Sequence, residues 1–170
     1  TRGAAPSSRI GAYIALMKLR VVELLLVTTI PTMVLAEGGW PSIQLMAVTL
    51  IGGTLAAGGA NAINMYIDRD IDKLMERTKN RPLATGAIRP RNALVFAITL
   101  EIVAFVILLA GANLLAACLA MSATAFYVFV YSLWLKRSSK QNIVIGGAAG
   151  AVPVLVGWAA VTNSLGWAPV

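Results

Sequence analysis

Apolar residues run in five long stretches along this chain, and charged residues gather between them. The stretches cover about residues 21–36, 42–67, 92–110, 114–135 and 142–161. A helix rises about 1.5 Å per residue, so a hydrocarbon core of about 30 Å takes roughly 20 residues. The pattern therefore predicts an all-α membrane protein with five transmembrane helices in this chain. The first stretch holds Glu23 near its start and Pro31 inside it, and Pro31 predicts a kink because proline removes a helical hydrogen bond. The second is uncharged, and the third contains one charge, Glu101. Tyr127, Tyr131 and Trp134 gather at the end of the fourth, where interfacial aromatics belong. Gly38-Gly39-Trp40-Pro41 and Gly111-Ala112-Asn113 read as turns, and residues 162–170 as a loop with Trp167 near an interface. A secretory signal peptide fits poorly, since the first apolar stretch begins only near Val21 and is one of five.

Composition agrees with lipid as the solvent. Of 170 residues, 58% are apolar and 12% charged, with a mean hydropathy of +0.78. Soluble domains are about a quarter charged. The net charge of +7 could point to nucleic acid, but its distribution points to topology. All 14 basic residues fall in three places. Arg2, Arg9, Lys18 and Arg20 precede the first stretch. Arg69, Lys73, Arg77, Lys79, Arg81, Arg89 and Arg91 lie between the second and third. Lys136, Arg137 and Lys140 lie between the fourth and fifth. The other turns hold none, so the N-terminus and both basic loops are expected in the cytoplasm. Residues 1–20 then form a cytoplasmic segment and residues 21–170 one transmembrane domain. There is no histidine, which excludes histidine acid–base and metal chemistry from this stretch. One cysteine, Cys118, excludes a disulfide framework. The chain starts at Thr1 without Met and stops at Val170 without a polar tail, as a sequence incomplete at both ends would.

The informative chemistry sits at the cytoplasmic end of the second stretch. Asn64, Asp68 and Asp72 are spaced i, i+4, i+8, which stacks them on one helical face, with Asn61 three residues earlier on the same stripe. Two carboxylates and an amide suit Mg²⁺, a hard cation often shared between carboxylates and substrate phosphates. The alternative is a polar helix end whose acids pair with Arg69, Lys73 and Arg77. It accounts less well for two asparagines near the inner end of an uncharged run, because buried amides are costly unless used. Arg77, Lys79 and Arg81, followed by Pro82, make a candidate anion clamp; alone they would read as a positive-inside loop. Tyr131, Lys136, Arg137 and Asn142 lie on the same membrane face. Glu101, a carboxylate within a span, is either a functional group or a hydrogen-bonded structural one. Gly52-Gly53, Gly58-Gly59 and the small residues 146–150 allow close helix approach. A phosphate-binding glycine loop needs a preceding strand, which the pattern lacks.

The runs NMYIDRDIDKLMERTKNRPL, KLRVVELLLVTTIPTMVLA and YSLWLKRSSKQNIVIGGAAGAVPVLVGWA carry a resemblance across nearly the whole chain from about Tyr13. The sequence resembles the intramembrane prenyltransferases, and among them the protoheme IX farnesyltransferase (haem O synthase) branch. That resemblance implies a bundle of nine membrane helices around a cavity, with a prenyl diphosphate held by Mg²⁺ at the cytoplasmic rim. It implies farnesyl diphosphate as donor, a vinyl group of haem B as acceptor, and haem O for terminal oxidases as product. Asn64, Asp68 and Asp72 match the family's first acidic motif and would serve as catalytic and metal-binding residues. Arg77, Lys79, Arg81, Lys136 and Arg137 would hold the diphosphate, with Asn61, Glu101, Tyr131 and Asn142 as further polar positions. The sequence departs from the family in lacking the second acidic motif: after Asp72 its only acids are Glu76 and Glu101. SSKQN also departs from the RTPQN expected after the basic pair. The chain is therefore expected to be the first half of such an enzyme and not competent alone. The alternatives are another intramembrane aromatic prenyltransferase of the quinone-precursor type, or a non-catalytic haem-handling assembly protein.

Overall fold

A computed structural model describes residues 8–135 and 142–165 of the chain. Each of the five apolar stretches is helical, and no strand occurs among the described residues. Helix α1 spans Arg9–Met17, α2 Leu19–Glu37, α3 Ile43–Asp72, α4 Pro90–Gly111 and α5 Leu114–Ala125. The last continues as a π-helix, Phe126–Leu135, and α6 spans Asn142–Thr162. Local chemistry sets several ends. Ser8 and Ser42 cap α1 and α3, their hydroxyls accepting from Gly11 N (3.0 Å) and Leu45 N (3.2 Å). Pro90 opens α4, where its missing N–H costs nothing. Asn113 caps α5 by accepting from Ala116 N at 2.9 Å, and its amide donates to Ala159 O (2.7 Å) and Ala160 O (3.2 Å). One side chain thus ends a turn and ties two helices.

Two features extend the sequence expectation. Residues 9–17 form a helix of their own, broken from α2 at Lys18, whose φ of 51° is left-handed. Ala12 and Leu16 bury α1 against Ala62, Met65, Leu83 and Ala93. Helix α3 runs on to Asp72, and its 30 residues make about 45 Å, longer than a hydrocarbon core of about 30 Å. Its surplus length carries the acidic stripe. Helix α2 continues through Pro31 to Glu37.

Among the described residues, three helical segments are long and apolar enough to cross a membrane: Ile43–Asp72, Pro90–Gly111 and Leu114–Trp134. Gly150–Thr162 is a shorter apolar helical segment. Helix α3 packs along α4, α2 lies against α6, and α5 touches both α4 and α6. Small residues let these helices close up. Ala56, Ala104, Ala116, Ala117 and Ala120 fill the core with Leu108, which lies on Gly52 where a Cβ would come within 2.6 Å of its Cγ. Helix α4 turns Val95, Ile98, Ile102, Val106 and Leu109 outward as an exposed apolar stripe.

Candidate functional site

The C-terminal end of α3 brings four polar side chains inside the protein. Asn61, Asn64, Asp68 and Asp72 are 6%, 3%, 2% and 3% exposed. Such burial is costly without partners, and those of Asn61 and Asn64 come from distant parts of the chain. Asn61 Nδ2 donates to Met17 O at 3.1 Å, at the end of α1. Asn64 Nδ2 donates to Ser132 Oγ at 2.8 Å, and Lys18 Nζ donates to Asn64 Oδ1 at 3.4 Å. Arg81 Nη1 donates to both carboxylate oxygens of Asp72, at 2.9 and 2.7 Å. Thr78 Oγ1 donates to Asp72 O at 3.1 Å, which folds the loop after α3 back over the stripe.

The pairings that would make the stripe an ordinary solvated helix end are not the ones formed. Arg69 donates to Tyr66 O at 2.8 Å and lies over the Tyr66 ring, 4.5 Å from its centre. Its ion pair is with the exposed Asp70, at 4.0 Å. Lys73 and Arg77 are exposed. Lys79 pairs with Glu76 at 2.6 Å, so of the three clamp candidates only Arg81 reaches the stripe. Lys136 and Arg137 lie outside the described residues, as does the side chain of Asn142.

Beyond Asn61 the stripe meets a cavity of about 250 Å³ between α2, α3, α5 and α6. Its walls are mostly small or apolar, among them Val22, Leu26, Ala56, Ala57, Ala60, Ala120, Pro153 and Val156. Thr29, Thr49, Thr124, Asn61 and Tyr127 add polar points. Tyr127 lines this space and stacks on Tyr131, with ring centres 5.2 Å apart. Glu101 is half-buried behind the wall: Thr124 Oγ1 donates to both its carboxylate oxygens at 3.3 Å. It fits there because Gly59 faces it, where a Cβ would fall 2.6 Å from Glu101 Oε1. The structure thus joins Glu101 to the cavity wall and not to the acidic stripe.

The donor set fits a hard divalent cation: Asn64 Oδ1 and the carboxylates of Asp68 and Asp72, all buried and on one helical face. No cluster of three His, Cys, Asp or Glu side chains occurs among the described residues. A cation here would thus take two carboxylates, one amide oxygen, and further oxygens from outside this set. Ser132, Thr78, Lys18 and Thr124 were not singled out from sequence. Lys18 read only as a topological charge, and serine and threonine within apolar helices carry no pattern of their own.

Three comparisons bear on this geometry. The model of the UbiA prenyltransferase family matches residues 25–170. Among curated relatives, a protoheme IX farnesyltransferase of Clavibacter michiganensis is 60% identical over 159 residues, covering 94% of this chain and 52% of the relative. A protoheme IX farnesyltransferase of Streptomyces avermitilis is 55% identical over 171 residues, covering 100% of this chain and 56% of the relative. The chain spans about half the length of the curated relatives it matches. Among solved structures, a UbiA homologue from Archaeoglobus fulgidus bound to DMAPP and Mg²⁺ superposes with a TM-score of 0.71 at 21% identity. The match covers 90% of this chain and 55% of that one.

Proposed function

The chain belongs to the UbiA prenyltransferase family, and on that premise we propose that it forms the first half of an enzyme that farnesylates haem B. The donor is farnesyl diphosphate, the acceptor a vinyl group of haem B, and the product haem O. One observation carries this reading. Asn64, Asp68 and Asp72 are buried together at the inner end of α3, one turn from an apolar cavity that Asn61 and Tyr127 line. An acidic stripe suits the metal-bound diphosphate, and an apolar cavity suits the isoprenoid tail.

Asn64, Asp68 and Asp72 would hold Mg²⁺, which when bound neutralises the diphosphate and makes it a leaving group. Arg81, already part-buried on Asp72, supplies fixed positive charge beside it. Arg77, Lys79, Lys136 and Arg137 would hold phosphate oxygens and spread the negative charge that develops as the diphosphate leaves. The allylic C–O bond breaks, and diphosphate leaves with the bonding pair. The haem vinyl carbon then attacks the allylic carbon, and water adding to the resulting cation, with loss of one proton, leaves a hydroxyethylfarnesyl group. The apolar walls wrap the tail and keep water from quenching the first cation.

The apolar helices and the family mark the chain as a membrane protein. We place five transmembrane helices in it, α2 to α6 with the π-helix closing the fourth span. Residues 1–20 and both basic loops lie in the cytoplasm, and residues 21–170 belong to the prenyltransferase domain. The outward stripe of α4 faces lipid. The rest of the enzyme supplies further helices and a second acidic motif, in keeping with the half-length match to the relatives. Asp68→Ala and Asp72→Ala in the complete enzyme test the reading. Each should lose about 3 kcal/mol or more of transition-state stabilisation, at least a hundredfold in rate. Haem O is separated from haem B by chromatography, and near-normal haem O from either variant would overturn the assignment.

A further inference from the structure

The fourth span changes its wind where it meets the acidic stripe. From Phe126 to Leu135 the backbone is π-helical, a form that is rare and often marks functional sites. Within it Ser132 is 0% exposed and makes two hydrogen bonds. Its Oγ donates to Tyr127 O, five residues back, at 3.0 Å, and accepts from Asn64 Nδ2 at 2.8 Å.

A hydroxyl has one proton to give. Ser132 gives it to the Tyr127 carbonyl, so toward Asn64 it can only accept. That selects one orientation of the amide. With Nδ2 toward Ser132, Oδ1 faces the other way, where Lys18 Nζ donates to it at 3.4 Å. The flipped amide would set Oδ1 against the lone pairs of Ser132 and its NH₂ against the Lys18 ammonium. A serine acceptor on one side and a cation on the other thus select the same orientation. An α-helical continuation would turn Ser132 off this face, because its contact with Tyr127 uses the five-residue π spacing.

We propose that Ser132, presented by the π-helix, is a positioning residue that fixes the Asn64 amide so that its carbonyl oxygen, turned toward the positive charge of Lys18 in this structure, is the atom offered to a cation. The proposal rests on the reading of Asn64 as a metal ligand. Partners of this kind to a metal ligand are worth about 10–100-fold in metal affinity.

The test uses the complete enzyme in detergent with farnesyl diphosphate present and Mn²⁺ as probe. Mn²⁺ binding is read from the loss of the free-ion electron paramagnetic resonance signal. The Mg²⁺ dependence of haem O formation is measured in parallel. Ser132→Ala should weaken Mn²⁺ binding about 10–100-fold and raise the Mg²⁺ needed for half-maximal rate by a similar factor. At saturating Mg²⁺ its rate should approach that of the parent. Ser132→Cys, of similar volume but a weak hydrogen-bond partner, should fall between the two. In an Asn64→Ala background, Ser132→Ala should cause no further loss. Parent-like Mn²⁺ binding in both Ser132 variants, a defect that saturating Mg²⁺ leaves in place, or losses additive with Asn64→Ala would overturn the proposal. Unchanged Mn²⁺ binding in Asn64→Ala would overturn the ligand reading itself. A defect in Asn64→Ala without one in the Ser132 variants would overturn the positioning role alone.

Discussion

Removing the Arg81 side chain separates the structural from the chemical use of the acidic stripe. Arg81 Nη1 donates to both oxygens of Asp72 at 2.9 and 2.7 Å, and the two side chains are 21% and 5% exposed. Deleting one partner of a buried pair costs about 3–5 kcal/mol, because the other charge is left in a poor solvent. Arg81 keeps a fifth of its surface in water, so solvent reaches the carboxylate once the guanidinium is gone. That puts the cost for Arg81→Ala lower, at about 2–3 kcal/mol. Asp72→Asn removes the charge that Arg81 balances. In the double variant no carboxylate remains to be stranded, so most of the stability lost in Arg81→Ala should return. The coupling between the two positions should reach about 1–3 kcal/mol. Activity should not return, because the double variant lacks both a proposed metal ligand and a proposed phosphate-binding cation. Denaturant unfolding in mild detergent, followed by tryptophan fluorescence, gives the stabilities, and chromatography of the haems gives the activity. Additive stability losses would refute the pair as the source of the effect. Recovery of haem O in the double variant would refute the catalytic roles.

Three further outcomes follow from other parts of the molecule. Gly52→Ala places a Cβ 2.6 Å from Leu108 Cγ, so it should destabilise the α3–α4 contact by about 1–3 kcal/mol, and Leu108→Ala should relieve that clash; an unchanged melting temperature in Gly52→Ala would show that the contact is loose. In a Cys118→Ser background, single cysteines at Lys79 and Gly38 should label only from the cytoplasmic and the opposite side respectively; a membrane-impermeant maleimide that modifies Lys79→Cys in intact cells would reverse the orientation. The 170-residue chain alone, given Mg²⁺, farnesyl diphosphate and haem B, should yield no haem O above a protein-free control, because it carries one acidic motif and a diphosphate leaving group calls for more cationic clamping than one such motif supplies; a Mg²⁺-dependent haem O peak would show that this half suffices.

What could be read from sequence is what short-range physics decides. Charge-free runs become helices in lipid because no water is there to satisfy an unpaired backbone, and each apolar stretch is helical in the structure. A four-residue spacing is a local geometric fact, so Asn64, Asp68 and Asp72 had to share a face once residues 43–72 were helical. The small residues at Gly52 and Gly58-Gly59 marked close helix approach, which Leu108, Met17 and Glu101 now occupy. Helix α1 was not legible. Its nine residues are too few to show a period, and only the docking of Ala12 and Leu16 reveals its buried side.

The tertiary structure decided which partner each buried polar group meets. From sequence, Arg69 and Arg77 were as eligible for the acids as Arg81. Asp72 meets Arg81 because the loop after α3 folds back through Thr78, and Arg69 is drawn off to Tyr66 and Asp70. Lys18 and Ser132 stand 46 and 68 residues from Asn64, yet both bond to it. Ser132 arrives there through a π-helical wind that leaves no mark in hydropathy. Spacing along a helix places side chains on a face. What lies across from that face depends on how helices far apart in the chain pack, and a one-dimensional pattern does not carry that.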